Sequence, residues 1–382
     1  MKIVYCLVDS SRSGGMERIV CSKANYLADN LGHEVTIITT DRKDKPNFFS
    51  FSSKINFIDL GINYSELDGL PFHKGFFLQL KKRKQHRLRL AETLNKIKPD
   101  ISISTYTHEM TMLPGINDGS KKIAEIHFCK QHKELEIQSL DVSWLKKEFA
   151  LLADKNKRRF ANKYDAFVVL SEDDARRWTG IERLFVIPNL LSFYPEDSSD
   201  CSTKRVISAG RLAKQKDYPS LIRAWKLIAN RIPDWRLDIF GTGSEKESIE
   251  ALINELELNN SVHIQPPTSD IQTEFIESSI FALSSAYEGF GLVLAEAMAC
   301  GIPCVAFDCP SGPSEIIQNN EDGFLVGLGD IEELSKKILY LAENDNVRKE
   351  FGRKAKVNVR RFLPDKVMTK WINLFDQLAD KN

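Results

Sequence analysis

Short apolar runs of strand length alternate with longer amphipathic stretches through most of the chain. Ile3 to Val8 reads as a buried strand, followed by a glycine turn and a helix from about Glu17 to Asn30. Strands are predicted at 34–39 and 54–59, a long basic helix over about 78–98, and a strand at 101–104 after Pro99. Strand 122–126, helix 144–163, strand 165–170 and a short strand 184–187 before Pro188 complete this half. Continuous apolar strands separated by helices imply a mostly parallel sheet covered on both faces.

The pattern then breaks. Ser192 to Lys204 is polar, contains Pro195 and has no apolar period, as an interdomain linker would. Alternation resumes with strand 205–209, helix 218–231, strand 236–240, helix 245–258, strands 262–264 and 280–284, helix 291–300 and strand 303–306. The tail, about 330–380, is helical. The predicted organisation is one Rossmann-like α/β domain over 1–190, a linker at 191–204 and a second such domain over 205–360. A C-terminal helix at 361–382 is expected to pack back on the first domain. Two successive doubly wound domains of this kind face each other across a cleft, into which the carboxyl ends of their strands direct loops. No internal repeat or low-complexity segment is present.

Composition changes this picture only in places. A chain of 382 residues with 42 % hydrophobic and 28 % charged residues is ordinary for two globular domains. No apolar run approaches the roughly 20 residues that span a bilayer. The opening run is too short for a secretory signal, so the expected location is the cytoplasm. Seven cysteines in such a length do not make a disulfide framework. Cys300, Cys304 and Cys309 lack the paired spacing of a zinc site, and no metal is expected. The formal net charge of zero hides an asymmetry. Residues 1–195 hold 31 Lys/Arg against 24 Asp/Glu, which leaves 22 against 29 for the remainder (53 − 31 and 53 − 24). The positive half suits an anionic partner.

Three loops carry candidate chemistry. Ser11-Arg12-Ser13-Gly14-Gly15-Met16-Glu17 follows a strand and opens a helix, where backbone N–H groups can meet an anion. A tight turn alone would read the same way. The dinucleotide fingerprint Gly-x-Gly-x-x-Gly is absent, which argues against nicotinamide or flavin. In Gly210-Arg211-Leu212-Ala213-Lys214-Gln215-Lys216, Arg211 and Lys216 lie five apart on a loop and can both turn to one diphosphate. A solvated basic loop is the plainer alternative. Phe240-Gly241-Thr242-Gly243 is a further strand-to-helix turn. The third loop, Ser284 to Met298, holds Glu288 on a glycine-flanked turn and Glu296 two helical turns later. One carboxylate can accept from sugar hydroxyls, the other from a ribose, and the amides of Gly289, Phe290 and Gly291 can bind hydroxyls or phosphate.

Gly-Gly-x-Glu near the N-terminus, Gly-Arg-Leu followed by Lys216, and Glu288-x7-Glu296 within Glu-Gly-Phe-Gly-Leu…Glu-Ala-Met-Ala-Cys-Gly-Ile-Pro resemble the retaining glycosyltransferases of family 4, of GT-B fold. The likeness spans nearly the whole chain and is looser in the first half. The stretch Cys309 to Glu315 is similar to members that build capsule, O-antigen or related bacterial surface glycans. The resemblance implies an acceptor domain at the N-terminus and a nucleotide-sugar donor domain after it. It implies that Arg211 and Lys216 hold the donor diphosphate with Gly15 close by, that Glu296 binds the ribose, and that Glu288 with Gly289 to Leu292 binds the transferred sugar. His127, at the end of a first-domain strand, would face that sugar and help define the reaction centre. Glu288 and His127 are thus the catalytic candidates, and Gln265, Pro266 and Pro267 are the expected base region.

The implied reaction moves a hexose or N-acetylhexosamine from a UDP-sugar to a glycan or polyprenyl-diphosphate-linked acceptor, with retention and without metal or other cofactor. Residues 81–89, preceded by Phe72, Phe76, Phe77 and Leu78, read either as a solvated helix face or as a peripheral contact with anionic membrane. Nucleic acid is not an expected partner. Competing readings are a non-catalytic nucleotide-sugar binding protein, or a related two-domain enzyme such as a sugar epimerase or phosphorylase.

Overall fold

A computed structural model of the chain describes residues 1–130, 144, 147–148, 152 and 159–380. Most of the helix expected over 144–163 therefore lies outside the described residues. The chain divides into two compact units: Met1–Leu190 with Pro364–Asn382, and Leu191–Leu363.

The sheet of the first unit contains β1 (Lys2–Cys6), β2 (Glu34–Thr39), β3 (Asn56–Asp59), β4 (Ile101–Ser104), β5 (Lys121–Glu125), β6 (Ala166–Val169) and β7 (Leu184–Val186). All pairings are parallel, in the order β3-β2-β1-β4-β5-β6-β7. Successive strand residues face opposite sides, and both sides are apolar. Ile3 and Tyr5 of β1 join Val20 and Ala24 of the helix Gly15–Asn25 and Val367, Trp371 and Phe375 of the helix Pro364–Ala379. Val4 and Cys6 turn to the other face, with Leu90 and Leu94 of the helix Phe72–Ile97.

The second unit repeats the plan with β8 (Arg205–Ala209), β9 (Arg236–Phe240), β10 (Val262–Gln265), β11 (Ile280–Leu283), β12 (Cys304–Phe307) and β13 (Gly323–Val326). The order β10-β9-β8-β11-β12-β13 is again wholly parallel. Val206, Leu237, Ile239 and Ile280 pack on one face against Leu221 and Trp225 of the helix Tyr218–Ile228. The helix Leu292–Ala299 lies on β11 and β12.

Several elements differ from the sequence reading. The long helix starts at Phe72 rather than near 78, directly after Pro71, whose fixed φ suits a helix entrance. β13 and the helices Ile271–Ile276 and Glu172–Arg177 were not expected, each being too short to show a period. Residues 191–204 group with the second unit instead of forming a tether. Leu191 and Cys201 are buried there, and the Ser199 amide donates to the Cys300 carbonyl at 2.8 Å.

Candidate active site

In an open parallel sheet, neighbouring strands whose crossovers run in opposite directions leave a crevice at their carboxyl ends. In the second unit this point lies between β8 and β11. The loop after β8 carries Arg211 and Lys216, and the loop after β11 carries Glu288. Topology thus brings together residues far apart in sequence.

The two loops are joined. The Ala286 amide donates to the Gln215 carbonyl at 2.8 Å, and Gln215 Nε2 donates to the Tyr287 carbonyl at 2.9 Å. Ser284 Oγ donates to the Lys216 carbonyl at 2.9 Å. Lys216 Nζ then donates to Glu288 Oε1 at 2.6 Å, with the two side chains only 14 % and 8 % exposed. Ser285 Oγ donates to the same carboxylate oxygen at 2.6 Å. Sequence reading gave Lys216 and Glu288 separate tasks; the structure makes them an ion pair. Arg211, expected beside Lys216, stands exposed on the same loop.

Backbone packing shapes the β8 loop. The Gly210 amide donates to the Phe240 carbonyl at 3.0 Å, and the Leu212 amide to the Thr242 carbonyl at 2.9 Å. A Cβ at Gly241 would sit 2.0 Å from the Gly210 oxygen, and one at Gly243 2.2 Å from the Leu212 oxygen. Only glycine permits this approach. The Gly241-x-Gly243 turn is therefore the buttress of the Arg211 loop, a part its pair of glycines after a strand could have signalled.

Gly289, Phe290 and Gly291 lead into the helix Leu292–Ala299, where the Leu294 amide donates to the Gly291 carbonyl at 2.8 Å and the Leu292 and Val293 amides point out of the helix start. Gly312 packs beneath this turn at φ +136°, where a Cβ would lie 2.4 Å from the Phe290 oxygen. Glu296 is buried on the same helix, 5 % exposed, so it is not a surface carboxylate. Gln265 ends β10, and its carbonyl accepts from the Gly241 amide at 3.0 Å. Gln265, Pro266 and Pro267 line one part of a cavity of about 730 Å³ that extends to Arg205, Asp238 and His263. Asp238 Oδ2 accepts from Arg205 at 2.5 Å and from Arg236 at 3.1 Å.

In the first unit, Gly14 caps the helix Gly15–Asn25. A Cβ at Gly15 would meet nothing within 4 Å among the described residues, whereas one at Gly14 would strike Glu17 Oε2. Among the described residues the space over Gly15 is thus open. His127 follows β5, and its side chain is 6 % exposed. Its Nε2 lies 3.4 Å from Glu125 Oε1, and neither ring nitrogen completes a hydrogen bond among the described residues. Burial lowers its pKa to about 4, against the opposing pull of the Glu125 carboxylate and with a further push from Lys23. The imidazole is neutral at physiological pH.

Two family models match the chain, glycosyl transferases group 1 over residues 197–358 and glycosyltransferase family 4 over residues 13–191. The amylovoran biosynthesis glycosyltransferase AmsD of Erwinia amylovora is 30 % identical over 65 % of this chain and 69 % of its own length. The chain belongs to this glycosyltransferase family. An uncharacterized glycosyltransferase of Haemophilus influenzae is 27 % identical to it over 97 % of this chain and 98 % of its own. The two parallel sheets match the GT-B fold of a TarM variant from S. aureus, solved with fondaparinux, α-GlcNAc-glycerol and UDP. That structure superposes with a TM-score of 0.78 at 18 % identity, over 98 % of the glycosyltransferase and 99 % of TarM.

Proposed function

We propose that this glycosyltransferase moves a hexose or N-acetylhexosamine from a UDP-sugar to a glycan or lipid-linked oligosaccharide during synthesis of a bacterial surface polysaccharide. The observation that carries the reading is the Lys216–Glu288 pair beside the amide-rich turn 289–291, with Glu296 buried on the helix that follows. The name of AmsD supports the polysaccharide class, and the UDP held by TarM supports the donor.

The chemistry follows from charge. A departing nucleoside diphosphate gathers negative charge that must be met by fixed donors. Lys216, Arg211 and the free amides at a helix N-terminus supply it without a metal or other cofactor. Glu288, already oriented by Lys216 and Ser285, accepts from hydroxyls of the transferred sugar, and Glu296 accepts from the ribose. The base rests at Gln265 to Pro267. Gly14 and Gly15 give close backbone approach to phosphate or acceptor. His127 orients the transferred sugar, and being neutral it does not add charge. With Glu288 engaged at hydroxyls, no carboxylate serves as nucleophile; the acceptor attacks from the side the leaving group departs, the phosphate oxygen takes its proton, and the anomeric configuration is retained.

Where the acceptor is lipid-linked, the helix Phe72–Ile97 holds the protein against an anionic membrane. Phe77 and Leu88 are 72 % and 62 % exposed on that helix. Lys81, Lys84 and Arg87 are exposed with them. Among the described residues, no helix is long and apolar enough to cross a membrane.

Incubation with a panel of nucleotide sugars and NMR of the product tests the reading. UDP-sugar turnover giving a product of unchanged anomeric configuration after exhaustive chelation is expected. An inverted product overturns the mechanism, and activity lost on chelation and restored by manganese overturns the account of the leaving group.

A further inference from the structure

One buried ion pair has no part in the reaction as described. Lys23, on the helix Gly15–Asn25, donates to both carboxylate oxygens of Glu125 at the end of β5, a partner 102 residues away. Both side chains are 2 % exposed. The Lys23 ammonium lies 4.5 Å from the ring centre of Trp371 and 5.5 Å from that of Tyr5. Aromatic faces therefore enclose it, and Glu125 is its charged partner.

A well-packed apolar pair is often at least as stable as such an ion pair, so stability alone does not explain it. Its place does. One of the two Glu125 oxygens bound to Lys23, Oε1, lies 3.4 Å from His127 Nε2. Tyr5, from β1, faces the same cluster, and burial together with the Glu125 charge keeps its phenol protonated. Among the described residues, the charged groups that bear on His127 are Glu125 from its own strand end and Lys23 from the helix opening at the Gly14-Gly15 turn.

We propose that Glu125, clamped by Lys23, is a positioning residue for His127: the immobilised carboxylate, 3.4 Å from the Nε2 edge of the imidazole, fixes the charge against which the ring is oriented toward the transferred sugar. This rests on the reading that His127 contacts that sugar. Lys23 has a second effect. By neutralising Glu125 it lets the ring keep a nearby carboxylate without taking up a proton. Loss of Lys23 removes the group that lowers the His127 pKa and leaves the one that raises it, so His127 would protonate at higher pH. Loss of Glu125 alone acts in the opposite direction.

The test uses the full chain labelled at histidine, with the His127 resonance assigned by its absence in His127→Gln. In the wild type His127 should stay neutral through pH 5. Lys23→Met should raise its titration by at least one pH unit and give kcat an acid limb over the same range. Lys23→Met/Glu125→Gln removes both buried charges, and so remains informative if the single variant does not fold. It should show no upward shift, a kcat about tenfold lower and a donor KM within twofold of wild type, since a support residue orients rather than binds. An unmoved His127 titration in Lys23→Met, or an unchanged kcat in the double variant, overturns the proposal. If His127→Gln keeps wild-type turnover, the role of His127 falls; the titration in Lys23→Met still reports on the clamp.

Discussion

On the proposed reading, Lys216 is the side chain on which the donor site turns, because it answers to two groups. In the free protein its ammonium is bonded to Glu288; in the proposed complex it also serves the donor diphosphate. On that reading Lys216→Ala removes a phosphate contact and leaves Glu288 held, among the described residues, by the Ser285 hydroxyl. Losing one charge-assisted hydrogen bond costs about 1.5–3 kcal/mol, roughly 10- to 150-fold in donor affinity. Calorimetric titration with UDP-sugar should show that loss, and Arg211→Ala, which leaves Glu288 paired, should weaken binding without disturbing the carboxylate. Equal wild-type affinity in both variants would remove the phosphate site. Gly312→Ala should lower donor affinity through the backbone. Its φ of +136° and the 2.4 Å approach to the Phe290 oxygen force the 289–291 turn to move. A melting temperature and donor KM equal to wild type would show that the turn tolerates the displacement.

Among the elements, the helix Phe72–Ile97 shows how a sequence pattern and its meaning separate. The run of basic residues from Lys81 to Arg89 is obvious in the sequence, but its cations are not alike. Lys82 is buried and donates to the Ile62 carbonyl at 2.5 Å and Glu66 Oε2 at 2.9 Å. Arg83 donates to Thr111 Oγ1 at 2.9 Å, and Arg89 to the carbonyls of Leu60 and Gly61. Lys81, Lys84 and Arg87 remain for a surface, beside exposed Phe77, Leu80 and Leu88. Replacing these three cations by glutamine should lower recovery with anionic liposomes in flotation by about 100-fold, at about 1 kcal/mol per charge. Lys82→Gln should instead lower stability. Equal binding to neutral and anionic vesicles would exclude electrostatic attachment. Which basic residues are spent inside the protein could not be read from the run itself, because their partners come from other segments. The same holds for Lys216 and Glu288, 72 residues apart, and for Lys23 and Glu125, 102 apart. What local pattern carries, namely the apolar strands, the glycine turns after β1, β8 and β9, and the Glu288–Glu296 spacing, was legible. What depends on strand order was not, and β13, four residues after a polar turn, left too few positions to reveal a period.

Over the whole molecule, the first unit is made from two stretches of chain separated by the entire second unit. The helix Pro364–Ala379 contributes Val367, Met368, Trp371, Leu374, Phe375 and Leu378 to the core over β1. Each large apolar side chain of this kind stabilises by about 2 kcal/mol or more, so together they rival the 5–15 kcal/mol by which a domain is folded at all. A chain ending at Leu363 should therefore lose the cooperative melting of its first unit and keep that of the second, a difference that calorimetry with limited proteolysis would resolve. Two intact transitions in that variant would show the helix to be dispensable.

The return of the chain also has a consequence in time. A ribosome that has finished β7 must still make all of Leu191–Leu363 before it reaches Pro364, roughly 10–30 s at ordinary elongation rates. Throughout that interval the nascent first sheet shows a bare apolar face where Trp371 and Phe375 will lie, and the ammonium of Lys23 is still wet. The newborn chain is thus a natural client for chaperones, and slow codons within the second unit would prolong its exposure.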